Sequence, residues 1–149
     1  MRTLAGTDPK QFIADFFLSF HEELVQSDED PALIFDRYHA PGIVQVADGH
    51  RMDRDKLIAH TRPIRKTRPS NRTEVHEAIA SGDRIAARYT LHVQRRDRYF
   101  AIEVCFFGRF AADGRMREAH MLTRTIPAAD PDQAAPAASG ASGERGASA

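Results

Sequence analysis

Residues 82–93 read GDRIAARYTLHV, and this stretch decides which kind of fold the chain can adopt. It opens on a Gly-Asp turn signal, and the residues that follow alternate in character as in a strand with one buried face. The more polar set is Arg88, Thr90 and His92. The apolar set, which we expect to face a core, is Ile85, Ala87, Tyr89, Leu91 and Val93.

The segments on either side have the same character, because β-branched and aromatic residues are interrupted by short turn signals. These turns are Ser81-Gly82-Asp83, Arg96-Asp97 and Asp113-Gly114. The four antiparallel strands that they predict are Thr73–Ala80, Arg84–Gln94, Tyr99–Phe110 and Arg115–Ile126. Strands of this length must twist and curl when they form one sheet.

Helix signals dominate before this meander. Asp8-Pro9 and Asp30-Pro31 each pair a side-chain cap with a proline suited to the first helical turn. Asp53 is expected to cap a third helix from Arg54 to about Arg65, which Pro63 is expected to bend or shorten. An apolar stripe at helical spacing marks the first helix. Its members are Phe12, Ile13, Phe16, Phe17, Phe20 and Leu24.

The element order therefore predicts an α+β fold, with three N-terminal helices packed in a curved, mainly antiparallel sheet. A short strand at Ile43–Val46, turned at Asp48-Gly49, is expected between the second and third helices. We predict one domain over residues 8–126. From Pro127 onward no aromatic or branched aliphatic residue occurs, so residues 127–149 are predicted to be a disordered tail.

Bulk composition excludes several partners. The formal net charge is 0, which gives no reason to expect nucleic acid. No apolar run approaches the roughly 18 residues that cross a bilayer, and no secretory h-region is present, so we expect a cytoplasmic protein without a membrane partner. The single cysteine, Cys105, lies in an apolar run and is expected to be a buried thiol.

Four segments resemble the SnoaL-like (polyketide cyclase / ketosteroid isomerase-like) branch of the NTF2-like superfamily across residues 8–126. They are the Phe12 to Phe20 stripe, Tyr38-His39-Ala40-Pro41, the turn and strand at residues 82–89, and the hairpin from Phe110 to Glu118. The resemblance implies a cone-shaped fold with a pocket at its open end, no cofactor and a homodimer. It also implies cyclase, isomerase, dehydratase or hydrolase chemistry on a small apolar metabolite, typical of secondary metabolism.

The chain departs from the family pattern at the positions of the cyclase acid and base. Val93-Gln94-Arg95 and Phe106-Phe107 occupy the places where cyclases often carry a Gly-Thr-His segment and an aspartate, and Gly42 replaces another family acid. A catalyst of this sequence must therefore use different residues.

Three residues are the candidates for acid–base catalysis. The resemblance puts His120 at a pocket position of the last strand, where Glu118 shares its face and lies about 6–7 Å away. Pairing across the Gly82-Asp83 turn would set His76 opposite Tyr89 on the inner face. The alternative is that these polar side chains face solvent.

The candidate substrate-binding residues are aromatic. Tyr89 is expected inside, where its hydroxyl either finds a structural partner or orients a ligand. The full set is Tyr38, Tyr89, Phe16, Phe20 and Phe106. Asp48, His50 and Asp53 offer metal ligands around one turn, but such clusters are usually solvated, so no metal is predicted.

Two functional hypotheses remain. The first is a cofactor-independent enzyme that acts by general acid–base catalysis on a small apolar molecule. The second is a non-enzymatic ligand-binding or dimerisation module that uses the same cone. The absent cyclase pair favours the second hypothesis, and the use of different residues at different depths of one cone, which the resemblance implies, favours the first.

Overall fold

The computed structural model describes residues 3–127. The prediction of a disordered tail concerns residues that, apart from Pro127, lie outside this range.

The described residues form three helices and six strands in an α+β arrangement. In chain order the elements are α1 (Pro9–Gln26), α2 (Pro31–Tyr38), β1 (His39–Ala47), β2 (His50–Asp53), α3 (Arg54–Thr67), β3 (Ser70–Ser81), β4 (Arg84–Arg95), β5 (Arg98–Phe110) and β6 (Met116–Ile126).

The predicted caps begin all three helices. The Asp8 carboxylate accepts a hydrogen bond from the Gln11 N–H at 3.0 Å. The Asp30 carboxylate accepts one from the Ala32 N–H at 3.0 Å. Each bond satisfies a donor that the first helical turn leaves free. Helix α3 continues through Pro63 to Thr67, so the expectation that this proline shortens it is wrong.

The six strands form one mixed sheet in the order β2-β1-β6-β5-β4-β3. The four long strands are a meander, as predicted, and β1 joins its β6 edge in parallel. Gly82 and Gly114 have φ angles of 60° and 95° in the turns that the sequence marked. Such positive angles suit glycine because it has no Cβ.

The core lies between α1 and the concave face of the sheet. Phe106 and Phe110 point inward from β5 and are 1% and 2% exposed. Phe110 meets Phe12 edge to face, with ring centroids 4.9 Å apart. Gly108 separates the two β5 phenylalanines, and a Cβ there would lie 2.5 Å from the Phe106 ring. The glycine therefore makes room for this aromatic packing.

The convex face of the sheet carries exposed apolar side chains, among them Ile79, Phe107 and Leu122. Cys105 lies on this face and is exposed, so the expectation of a buried thiol is wrong. It falls outward because Val104 and Phe106 hold the alternating inward positions.

Among the described residues, no helix combines the length and apolarity needed to cross a membrane.

Candidate functional site

A cleft of about 560 Å³ lies between α1, the end of α2 and the turn that joins β5 to β6. This volume falls in the range of small-molecule sites. Phe12 and Phe16 give the cleft an apolar wall. The polar and charged residues that line it are Asp15, Ser19, Glu23, Arg37, Tyr38, Asp113 and Arg115.

A hydrogen-bonded network forms one end of the cleft. The Tyr38 hydroxyl donates a short hydrogen bond to Glu23 Oε2. Arg37 Nη2 donates to the other carboxylate oxygen of Glu23 at 2.6 Å, and Arg37 also binds Glu29 at 2.7 and 2.9 Å. Both oxygens of Glu23 are therefore occupied, and its carboxylate is held in one orientation.

The protonation states of this network follow from its contacts. Burial acts to raise the pKa of the Glu23 carboxyl, but hydrogen bonds from Arg37 and Tyr38 outweigh it, and the pKa is lower than usual. Burial raises the pKa of the Tyr38 hydroxyl, and the bond to Glu23 raises it further. At neutral pH the cleft therefore presents an ionised carboxylate beside a protonated phenol.

The five aromatic residues predicted to bind substrate belong to one contiguous set of rings. Phe16 lies 5.6 Å from Tyr38 between ring centroids, and Phe20 lies 5.3 Å from Tyr38. Phe17 links this group to Tyr89 and Phe106 at 5.1 and 5.9 Å. Only Phe16 and Tyr38 of the five line the cleft.

Tyr89 lies inside the sheet, as predicted, and is 5% exposed. Val75 and Val104 are its register partners on the neighbouring strands. No described residue forms a hydrogen bond with its hydroxyl, and burial alone raises the pKa of that group. A buried phenol without a protein partner is free to donate to a ligand.

A further polar side chain lies in the interior: His39, the first residue of β1, is 7% exposed. Its ring stacks on Phe35 at 3.8 Å, and Nδ1 lies 3.0 Å from the Phe35 carbonyl oxygen. Because a carbonyl only accepts, Nδ1 carries the proton and Nε2 has the free lone pair. Burial lowers the pKa of His39 to about 4, so the imidazole is neutral.

The interior position predicted for Glu118 and His120 is wrong. Both are exposed on the convex face, while Ala119 and Met116 point inward. The cause is a β-bulge: Phe110 pairs with Met116, but Arg109 pairs with Glu118, which leaves Arg117 without a register partner. This extra residue moves the rest of β6 to the opposite face from the one expected, so neither side chain can act on a ligand in the cone.

A second bulge displaces His76. Val75 pairs with Tyr89 and Glu77 pairs with Arg88, so His76 has no register partner and turns outward. Its Nε2 lies 2.7 Å from the Thr90 hydroxyl on the convex face. The predicted placement of His76 beside Tyr89 is therefore wrong, and the reason is again one inserted residue.

Glu23 and Arg37 are the site residues that sequence reasoning missed. A signal for Glu23 exists, because Asp15, Ser19 and Glu23 recur every four residues along one edge of α1, beside the aromatic stripe. For Arg37 no such pattern exists, since its role depends on the packing of α2 against α1.

The turn that carried possible metal ligands has another role. The Asp48 carboxylate accepts hydrogen bonds from the Thr123 N–H at 2.8 Å and from the Thr123 hydroxyl at 2.5 Å. These bonds fasten the β1–β2 turn to β6. Within residues 3–127, no three His, Cys, Asp or Glu side chains are grouped to hold a metal ion.

Three helices packed against a curved mixed sheet, with a cleft beside α1, define an NTF2-like cone. The family model described as "SnoaL-like domain" matches residues 18–119. The chain therefore belongs to the SnoaL-like family, as its motifs indicated. No curated protein sequence matches the chain significantly.

Solved structures agree on the fold. AclR from Streptomyces galilaeus, a proposed hydroxylase, is 17% identical with a TM-score of 0.56, over 78% of this chain and 91% of that chain. IdmH from Streptomyces antibioticus, a proposed polyketide cyclase, is 17% identical to this chain with a TM-score of 0.54. The match covers 73% of this chain and 89% of IdmH. A proposed SnoaL-like polyketide cyclase from Jannaschia sp. CCS1 is 14% identical to this chain with a TM-score of 0.54. The match covers 79% of this chain and 91% of that cyclase. At these identities the likeness shows the fold alone.

Proposed function

We propose that the protein binds a small, largely apolar organic molecule in the α1–α2 cleft and acts on it by cofactor-independent general acid–base catalysis. The reaction class is that of a cyclase, isomerase, dehydratase or hydrolase. The observation that carries this proposal is the pair formed by Glu23 and Tyr38 beside the apolar wall of a cleft of about 560 Å³.

The two residues supply complementary chemistry. When the ligand binds, the Tyr38 hydroxyl moves its single hydrogen bond from Glu23 Oε2 to a ligand oxygen, where it stabilises the negative charge that develops. The Glu23 Oε2 atom that this exchange frees takes a proton from the ligand. Arg37 holds the carboxylate in place through its bond at 2.6 Å. Phe12 and Phe16 exclude water from one side and contact the apolar part of the ligand.

The first test is ligand capture. Purified protein is incubated with an organic extract of its own host cells, and retained compounds are identified by mass spectrometry. We expect one class of small apolar compound to be retained and chemically altered. Phe16→Ala should reduce retention at least about tenfold, because it removes part of the apolar wall.

The second test separates catalysis from binding. Tyr38→Phe and Glu23→Gln should retain the ligand yet lower turnover by about 10²–10⁴-fold, the usual contribution of acid–base groups. Glu22→Gln, at an exposed position outside the cleft on the same helix, is the matched control and should leave turnover unchanged. Full turnover in both cleft variants would overturn the proposed mechanism.

A second candidate function is supported by the packing of the cone. The Phe110 ring meets Phe12 and Phe16 edge to face, with ring centroids 4.9 and 5.4 Å apart, and these rings fill part of the interior. Such a core suits a non-enzymatic ligand-binding or dimerisation module. Retention of a ligand that is recovered unchanged would support this alternative against the enzyme.

We also propose a homodimer formed through the convex face. A row of register partners crosses five strands there: Ile79, Ala86, Phe107, His120 and Val46. Ile79 and Phe107 are 74% and 59% exposed, and a trough of about 1130 Å³ follows the row. Large apolar side chains that are this exposed, with charged residues at the rim of the trough, are typical of an interface.

Light scattering at micromolar concentration tests the dimer, which should bury at least about 1,000 Å² in total. Phe107→Arg should give a folded monomer, because it places charges at the centre of the contact. Leu33→Arg makes the same change at an exposed position on α2 and should leave the dimer intact. A monomeric wild-type protein would contradict the proposal.

A further inference from the structure

The convex face has a second specialised region at the end of the sheet remote from the apolar row. Tyr99 and Phe107 are eight residues apart on β5, which corresponds to about 26 Å along a strand. Tyr99 is 53% exposed, whereas the other two tyrosines, Tyr38 and Tyr89, are each 5% exposed. One accessible phenol therefore lies outside both the cleft and the proposed dimer contact.

This phenol ends a chain of hydrogen bonds that begins on β3. His92 Nδ1 lies 2.5 Å from the Tyr99 hydroxyl, and His92 Nε2 lies 2.8 Å from Glu74 Oε1. The His92 and Tyr99 rings are nearly parallel, at 22°, with centroids 6.0 Å apart. The three side chains come from three adjacent strands, so the sheet itself sets their spacing.

The direction of each bond follows from the chemistry of its ends. The hydrogen bond from His92 lowers the pKa of the Glu74 carboxyl, which is therefore ionised at neutral pH and can only accept. His92 Nε2 must donate to it, so in the neutral ring Nδ1 has the free lone pair. The Tyr99 hydroxyl then donates to Nδ1. Carboxylate, imidazole and hydroxyl thus occupy the order that activates a nucleophile in hydrolytic enzymes.

We propose that Tyr99 is a nucleophile that takes up acyl groups from activated acyl donors, with His92 as its general base and Glu74 as the positioning residue. The substrate class is an ester or thioester with a good leaving group. This activity is independent of the function proposed for the cleft.

The step balances without a further reactant. Tyr99 Oη attacks the carbonyl carbon of the donor while its proton passes to His92 Nδ1. The new bond joins Oη to the acyl carbon, the bond between that carbon and the leaving group breaks, and the leaving group departs with its electron pair. The proton on His92 then passes to the leaving group or to water. Glu74 stabilises the imidazolium that forms in between.

The test uses 4-nitrophenyl acetate with the full chain. The exposed Cys105 thiol also reacts with this ester, so the readout is the site of acetylation: peptide mapping by mass spectrometry should place an acetyl group on Tyr99. Tyr99→Phe should abolish this label. His92→Gln should slow the labelling of Tyr99 at least about tenfold, because it removes the base but leaves the phenol exposed.

Matched variants separate activation from exposure. His60→Gln and Glu77→Gln change an exposed histidine on α3 and another glutamate on β3, and both should label at the wild-type rate. Labelling of Tyr99 at an equal rate in wild type and His92→Gln would overturn the proposal, since exposure alone would then explain it. Acetylation confined to other residues would overturn it as well.

A conservative substitution tests the role of Glu74. Glu74→Gln should slow the labelling of Tyr99 several-fold, and Glu74→Asp, which keeps a carboxylate, should recover part of that rate. A merely structural contribution would make the two variants equal. Melting temperatures close to the wild-type value in both would show that the rates compare folded proteins.

Discussion

Phe106 and Phe107 are neighbours in β5, yet the first is 1% exposed and the second 59% exposed. The tyrosines on the two faces differ in their hydrogen bonding. Tyr89 inside has no hydrogen-bond partner among the described residues, whereas Tyr99 outside donates to His92 at 2.5 Å. The concave face is thus held by packing, whereas directed polar contacts link the strands at the end of the convex face that carries Tyr99. The face on which a side chain lies decides its chemistry more than its residue type does.

The faces of β6 depend on one inserted residue, Arg117, and deleting Ala119, the buried residue just beyond this bulge, should have the largest effect on stability. Without Ala119, either His120 takes its inward position, or the bulge closes so that Arg117 pairs with Arg109 and Glu118 faces the core opposite Gly108. Each outcome buries a polar or charged group without a partner, so we expect a loss of more than about 3 kcal/mol in the free energy of unfolding.

Chemical denaturation of the deletion variant measures this loss. Arg117→Ala keeps the residue count and is the matched control, for which we expect a change of less than about 1 kcal/mol, because the side chain is exposed. A deletion variant as stable as wild type would mean that β6 tolerates both registers.

The paired phenylalanines test the two faces directly. Phe106→Ala should lower the free energy of unfolding by about 3–5 kcal/mol, since it empties a closely packed site. Phe107→Ala should change the stability of the monomer by less than about 1 kcal/mol. Denaturation at low protein concentration keeps dimerisation out of the measurement. Equal losses would show that the convex apolar row contributes to the monomer as much as the core does.

These bulges also mark where sequence reasoning succeeded and failed. The caps at Asp8 and Asp30, the meander and the inward face of β4 were predictable, because local chemistry and unbroken alternation determine them. The faces of β6 and of the start of β3 were not, because no signal in the sequence announced an extra residue at Arg117 or His76. All three predicted catalytic residues lay on these two strands.

The predicted substrate-binding residues were placed more accurately than the predicted catalytic residues. Aromatic residues at helical spacing are a reliable indication that a helix face is buried. Phe16 and Tyr38 line the cleft, whereas Glu23 was missed. Its contact with Tyr38 joins two helices, and such a contact depends on helix packing that no local pattern encodes.

The buried histidine His39 should make the stability of the fold depend on pH. His39 has a folded pKa of about 4 against a reference value of 6.5, so above pH 6.5 it is neutral in both states and adds no pH dependence. As the pH falls from 6.5 towards 4, the unfolded chain binds the proton first and folding stability is lost, by about 2–3 kcal/mol in total.

Comparison of His39→Phe with wild type isolates this effect. The variant keeps an aromatic ring against Phe35 and should lose less stability than wild type between pH 6.5 and pH 4. His60→Gln, a change at an exposed histidine, should follow the wild-type curve. Parallel curves for wild type and His39→Phe would show that the buried imidazole does not resist protonation.

The smallest expected effect concerns a polar contact on the convex face, between the buried Thr90 hydroxyl and His76 Nε2 at 2.7 Å. Thr90→Val preserves the shape of the side chain and removes the hydroxyl, and we expect a loss of about 0.5–1.5 kcal/mol. The loss is limited because the His76 side chain is 26% exposed, so water can replace the missing partner. Thr125→Val, at an exposed position on β6, should change stability by less than about 0.5 kcal/mol.

A double-mutant cycle of Thr90→Val with His76→Ala assigns the loss to the contact, because the coupling energy should account for most of it. Zero coupling would mean that solvent satisfies both groups separately, and that the convex face is not held by directed polar contacts at this point.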